Sequence, residues 1–200
     1  MAVQLTDPKI EHSDPEKLDS SDGEKWSEMW DGVYVMPTLP NDEHQEIQAH
    51  LVFALMSVGL GKVRAGVNVA DRHPDWKYNF RGPDVVVYLA GNPAVNHGSH
   101  WVGGPDLAVE IVSPDEDPRA KIDFYAAVNT RAVLVIDRDP WALELYHLAG
   151  GRLVPAGRSD AATPAVLASG VLPLTFQLRD GTPRPTILVT HTATGQTWTV

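Results

Sequence analysis

A chain of 200 residues with 43% hydrophobic side chains is long enough to bury one substantial core. It contains no cysteine, which excludes disulfides, cysteine-ligated zinc, iron–sulfur clusters and a thiol nucleophile. A formal net charge of −10 argues against nucleic-acid binding through a broad basic face, yet allows an acidic site that meets phosphate through a bound cation.

In chain order, residues 1–23 carry Asp, Glu, Ser and Pro with few apolar side chains and read as a flexible acidic arm without a signal-peptide pattern. Residues 24–200 read as a single domain. No stretch reaches the about 18 apolar residues of a membrane span, so a cytoplasmic protein is expected. Ser27–Trp30 and Val33–Met36 form a strand pair turning at Asp31-Gly32. Asn41 or Asp42 caps a helix whose buried stripe is Ile47, Leu51, Ala54, Leu55 and Val58, and Gly59 and Gly61 end it. Val63–Ala70 alternates and reads as one strand. Strands over 83–89 and 107–112 follow, joined by a Gly-, Asn- and His-rich connection over Ala90–Pro105. Asp117-Pro118 caps a helix over Pro118–Val128. Arg131–Ile136, Ala142–Leu148 and Arg152–Pro155 are strands, and the tail holds extended pieces around Leu172–Leu178 and Thr186–Thr190. The order predicts an α/β (α+β) fold, a mixed central sheet flanked by helices on both faces.

One residue breaks the apolar pattern. Leu107-Ala108-Val109-Glu110-Ile111-Val112 reads as a buried strand, and a carboxylate inside it must be paired, protonated or bound to a metal. A second acid, Asp84, opens the preceding apolar strand, and the two are 26 positions apart, compatible with neighbouring strands. Lys121 sits near the start of the helix after Glu110, with Tyr125 on the same face. Two acids holding a divalent cation, with an ammonium nearby, are the parts of a hydrolytic site for phosphodiesters.

The segments Arg81-Gly82-Pro83-Asp84-Val85-Val86-Val87, Val109-Glu110-Ile111-Val112-Ser113-Pro114, Lys121 with Tyr125, and Val133-Leu134-Val135-Ile136-Asp137 together resemble the PD-(D/E)XK nuclease superfamily. Within it they resemble a restriction-endonuclease-like family of unknown function, over about Trp26 to Leu178. The resemblance implies a restriction-endonuclease-like fold and an endonuclease using Mg²⁺ or Mn²⁺ on nucleic acid, with DNA as the expected substrate. It implies Asp84, Glu110 and the Ile111 carbonyl as metal ligands. Two positions after Glu110, where the superfamily carries its lysine, this chain has Val112, so Lys121 would supply the ammonium from the helix. The likeness also places His44, at the start of the first helix, near the site. The family often has Glu after the hairpin glycine; this chain has Val33, and Glu46 on the first helix is the substitute considered. Arg81, Ser113 and Tyr125 complete the neighbourhood. A homodimer is expected, since members of this fold often pair.

The plainer readings are structural. Glu110 would pair with an arginine such as Arg81 or Arg119, Asp84 would only start a strand, and Lys121 would be solvated. Ser113 as a nucleophile lacks a glycine-rich elbow. His97 and His100 have no third ligand beside them in sequence, so they read as an ordinary loop. The basic stretch Lys62, Arg64, Arg72, Lys77 and Arg81 reads as a solvated surface. The alternative to an enzyme is an inactive member of the fold serving as a binding or oligomerisation module; a hydrolase of smaller phosphoesters is a third reading.

Overall fold

The acid-bearing strands lie in the middle of the sheet that organises the molecule. The computed structural model describes residues 3–4, 27–36, 38–114 and 116–200, so the acidic arm expected over residues 1–23 lies, apart from residues 3–4, outside the described residues. The elements are β1 (Val3–Gln4), β2 (Glu28–Trp30), β3 (Val33–Met36), α1 (Asp42–Val58), β4 (Gly61–Ala65), β5 (Asn68–Ala70), β6 (Phe80–Arg81), β7 (Val85–Leu89), β8 (Val95–Asn96), β9 (His100–Val102) and β10 (Leu107–Ile111). They continue with α2 (Ile122–Ala127), β11 (Ala132–Arg138), β12 (Trp141–Ala149), β13 (Arg152–Asp160), β14 (Leu167–Ala168), β15 (Leu174–Arg179), β16 (Thr186–His191) and β17 (Thr197–Thr199).

The central sheet has the order β13-β12-β11-β10-β7-β4, antiparallel except for the parallel β10–β11 pair. All five residues of β10 are buried, as a strand covered on both faces requires. Leu107, Val109 and Ile111 join Val85 and Val87 on one face, against Ile47, Leu51 and Leu55 of α1 and a four-stranded sheet, β14 to β17. Ala108 shares the other face with Val86 and Tyr88, against Phe124 and Tyr125 of α2 and Val69 and Trp101 of the remaining sheet, ordered β1-β3-β2-β6-β5-β9-β8. Strand alternation puts Glu110 on this second face. The β7–β10 register pairs Val85 with Val109, so one step further Asp84 falls opposite Glu110.

The mixed fold with few helices matches the expectation, and the differences are local. Sheets as well as helices cover the central strands. The single strand expected over Val63–Ala70 is two strands in different sheets: the chain bends at Gly66 (φ 59°), whose N–H donates to the Asp84 carbonyl at 3.2 Å. Gly59 ends α1 in the left-handed conformation (φ 72°), while Gly61 begins β4. A Cβ at Gly61 would stand 2.3 Å from the Tyr88 carbonyl oxygen. The helix expected over Pro118–Val128 starts as a 3₁₀ turn, Pro118–Lys121, capped by the Asp117 side chain, before becoming α2. The short C-terminal pieces form a four-stranded sheet instead of isolated segments. Among the described residues no helix is long and apolar enough to cross a membrane.

Candidate active site

One cluster of charged groups gathers at the end of the β7–β10 pair. Glu110 is only 4% exposed. Its Oε2 accepts from the Lys121 ammonium at 3.0 Å, and its Oε1 from the Tyr125 hydroxyl. The 3₁₀ turn and α2 fold back over the strand, so residues 121 and 125 both reach it. Lys121 is shared: its Nζ also lies 2.8 Å from Oε1 of Glu28, on β2. The Glu28 carboxylate is fixed by two further donors, the Gly82 N–H at 2.8 Å and the Trp30 indole at 2.7 Å. Asp84 closes the group. Its Oδ2 accepts from the Ile111 N–H at 2.7 Å, and its Oδ1 lies 3.1 Å from Nε2 of His44 in the first turn of α1. Asn41 caps that helix by accepting from the His44 N–H, and Gln48 one turn on donates to the Asp84 carbonyl at 2.8 Å.

Sequence reasoning missed Glu28. Attention to the position after the hairpin glycine leads to Val33 and then to Glu46, but the carboxylate comes from the hairpin's first strand. Glu28 and Trp30 share a strand face, and an acid there beside an aromatic was the available signal. Glu46 is exposed and pairs with Arg184 at 2.8 Å. Neither arginine expected as a structural partner of Glu110 takes that place. Arg119 binds Asp137 and Glu144. Arg81 is buried between the Trp30 and Phe124 rings, 4.4 and 4.3 Å from their centroids, and donates to the Met29 carbonyl and to Asn79. It is therefore no part of a solvated basic surface. Ser113 is buried, in a cleft of about 480 Å³ beyond β10 that is also lined by Glu43, Glu116, Asp137 and Arg138.

The charge balance is acidic. Burial pushes the Glu28 carboxyl up, but Lys121 and the Gly82 and Trp30 donors outweigh it and hold Glu28 below the ordinary carboxylate range. Burial likewise dominates at Glu110, opposed by Lys121 and reinforced by the charges of Asp84 and Glu28; the result is a carboxyl pushed up to about 8. Lys121 is desolvated, yet Glu110 and Glu28 hold it above the ordinary lysine range, so it is an ammonium at neutral pH. Burial and the Glu110 charge raise the Tyr125 hydroxyl well above its ordinary value. One buried cation thus faces three carboxyl groups, a local shortage of positive charge that adds to burial in raising the Glu110 pKa. A divalent cation fits this donor set: Asp84 and Glu110 offer hard oxygen ligands from adjacent strands, and the deficit is of the sign a cation relieves.

A second group lies outside this cluster. His97 and His100 do have a third partner, brought by the fold from 24 or more residues away: the ring nitrogens of His73, His97 and His100 lie within 4.8 Å of one another. The segment is a hairpin loop, as expected, but a third histidine stands beside it.

A family profile described as "Uma2: Putative restriction endonuclease" matches residues 14–179. A solved structure described as a "putative nuclease belonging to DUF820" from Anabaena variabilis ATCC 29413 is similar in fold, with a TM-score of 0.57 and 18% identity over 71% of this chain and 80% of that one. No curated protein matches the chain.

Proposed function

The chain belongs to the Uma2 family, and on that premise we propose that it is a metal-dependent endonuclease of the restriction-endonuclease-like fold, hydrolysing nucleic-acid phosphodiester bonds, DNA first among them. The observation that carries the reading is the convergence of Asp84, Glu110 and Lys121 with a deficit of buried positive charge. Asp84, Glu110 and the Ile111 carbonyl would hold Mg²⁺ or Mn²⁺. When bound, the cation supplies charge to the scissile phosphate and acidity to a coordinated water.

The chain's own groups have separable tasks. The Ile111 N–H and His44 fix the Asp84 carboxylate so that it does not swing away. Glu28 and Glu110 hold the Lys121 ammonium in one place. As a permanent cation, Lys121 is unsuited to act as a base; it orients the attacking water and stabilises charge that develops on the phosphoryl oxygens. Glu28 and Tyr125 are positioning residues. The local acidity also explains how a chain of net charge −10 could engage phosphate, through the cation and not through a basic face.

The test is cleavage of plasmid and linear DNA with Mg²⁺ or Mn²⁺, beside Asp84→Ala and Glu110→Ala. Each substitution is expected to lower cleavage by about a thousandfold or more, several kcal/mol of lost transition-state stabilisation. Cleavage that survives both would overturn the assigned roles. A folded wild-type chain that binds Mn²⁺ but cleaves neither DNA nor RNA would favour the non-catalytic module.

A further inference from the structure

We propose that His73, His97 and His100 form a second metal site, one that takes Zn²⁺ or a similar imidazole-preferring transition-metal ion. It is independent of the acid cluster, with which it shares no residue.

His97 and His100 are presented by the hairpin between β8 and β9. That turn is held by its own backbone: the His97 N–H donates to the His100 carbonyl at 2.9 Å, and the Gly98 N–H to the Asn96 side chain at 2.7 Å. His73 comes from the loop after β5, the parallel neighbour of β9. Its Nδ1 stands 3.2 Å from Nε2 of His100. A tetrahedral Zn²⁺ with bonds of about 2.0–2.1 Å sets its ligand nitrogens about 3.3 Å apart, so this pair already has the required spacing. The ligand nitrogens lie within 4.8 Å of one another. The rings are nearly parallel, with His73 stacked on His97 at 4.0 Å between centroids, so the exposed His73 and His97 side chains must turn out of the stack for their lone pairs to meet that of His100 at one ion.

The surroundings favour a metal ligand over a surface histidine. His100 is 2% exposed and stacked on Trp76, with centroids 4.5 Å apart, which fixes its ring plane. Its Nδ1 lies 3.0 Å from the Ser99 hydroxyl. In the Nδ1–H tautomer the hydroxyl accepts from this ring and the Nε2 lone pair faces His73, the arrangement that outer-shell partners of ligating histidines impose. Three imidazoles and no carboxylate suit Zn²⁺, Cu²⁺ or Ni²⁺ and not Mg²⁺. The fourth position is left to water. Bound there, the ion would join the β5–β6 loop to the β8–β9 hairpin.

Zn²⁺ calorimetry on the full chain, with excess Mg²⁺ present to occupy the oxygen donors, tests the proposal. Wild type and Asp84→Asn should each bind one equivalent at this site. His73→Ala and His97→Ala, both at exposed positions, should weaken it by about 10–100-fold or more, and His100→Ala is avoided because that ring is packed in the interior. Tetrahedral Co²⁺ absorption should appear in wild type and Asp84→Asn and vanish in the two histidine variants. Absence of Zn²⁺ binding in wild type would mean that the trio is held only by ring stacking and the His73–His100 hydrogen bond, and would overturn the site. So would equal Zn²⁺ affinity in wild type, His73→Ala and His97→Ala. Neither result bears on the nuclease reading, which the Asp84 and Glu110 variants address.

Discussion

Lys121→Met lowers the stability of the metal-free protein by about 3–5 kcal/mol near neutral pH, the usual cost of removing one partner from a buried ion pair. For a chain of this size that is a fall in Tm of roughly 10 °C. The magnitude follows from what the ammonium touches. Glu28 and Glu110 both lie within 3.0 Å of it and both are almost fully enclosed, so the substitution leaves two carboxyl groups with no cation between them. Glu28 suffers most, because Lys121 is what keeps it ionised against burial. Two observations separate this account from generic core damage. Mn²⁺ should restore more of the lost stability in Lys121→Met than it adds to wild type, because the ion replaces the missing charge. Cleavage should remain abolished even when stability is restored, since an ion held by the acids does not orient water as the ammonium does. Thermal melts with and without Mn²⁺ measure the first, and plasmid cleavage below the variant's Tm the second.

The second large effect is a pH dependence set by Glu110. Its folded-state pKa is raised from an ordinary 4.5 to about 8. A raised pKa means that the native state binds the proton more tightly than the unfolded chain. The contribution to stability is therefore complete below about pH 4.5 and is lost as pH rises through about 8. In metal-free wild type this loss is on the order of 3 kcal/mol between pH 5 and 9. Glu110→Gln, which cannot ionise, should remove most of that slope and be the more stable protein at pH 9. Glu28, with a depressed pKa, contributes in the opposite sense: its share is present above its unfolded value near 4.5 and is lost on acidification. Urea midpoints in EDTA at pH 5, 7 and 9 read the difference. Equal slopes in wild type and Glu110→Gln would mean that the carboxyl is already ionised at neutral pH.

Much of this site was legible in the sequence, because strand chemistry makes its anomalies visible. A charge within Leu107–Ile111 cannot hide in a buried strand, and the strand order placed Asp84 beside it. Lys121 and Tyr125 followed from helical spacing, although the segment begins as a 3₁₀ turn. Glu28 was not legible in the same way. Its strand is three residues long, and its role arises only when β2 pairs with β6 and brings the Gly82 N–H to its carboxylate. Arg81 misled for a related reason: within a basic stretch it looks solvated, but the Trp30 and Phe124 rings that enclose it are distant in sequence. His73 shows the same limit. Local spacing near His97 and His100 carries no trace of a residue that the β5–β9 pairing supplies. The split of Val63–Ala70 was hidden because alternation continues across Gly66, while the turn there depends on the Asp84 carbonyl.

The most direct test of the central claim is a calorimetric titration of Mn²⁺ into wild type, Asp84→Asn and Glu110→Gln at pH 7 and pH 9. Mn²⁺ prefers oxygen donors, which keeps the histidine trio out of the measurement. Wild type should bind Mn²⁺, releasing a proton at pH 7 and less at pH 9 because Glu110 must give up its proton to become a ligand. Both variants should lose that binding while remaining folded. Mn²⁺ binding of equal strength and equal proton release in all three proteins would contradict the assignment of Asp84 and Glu110 as the ligands.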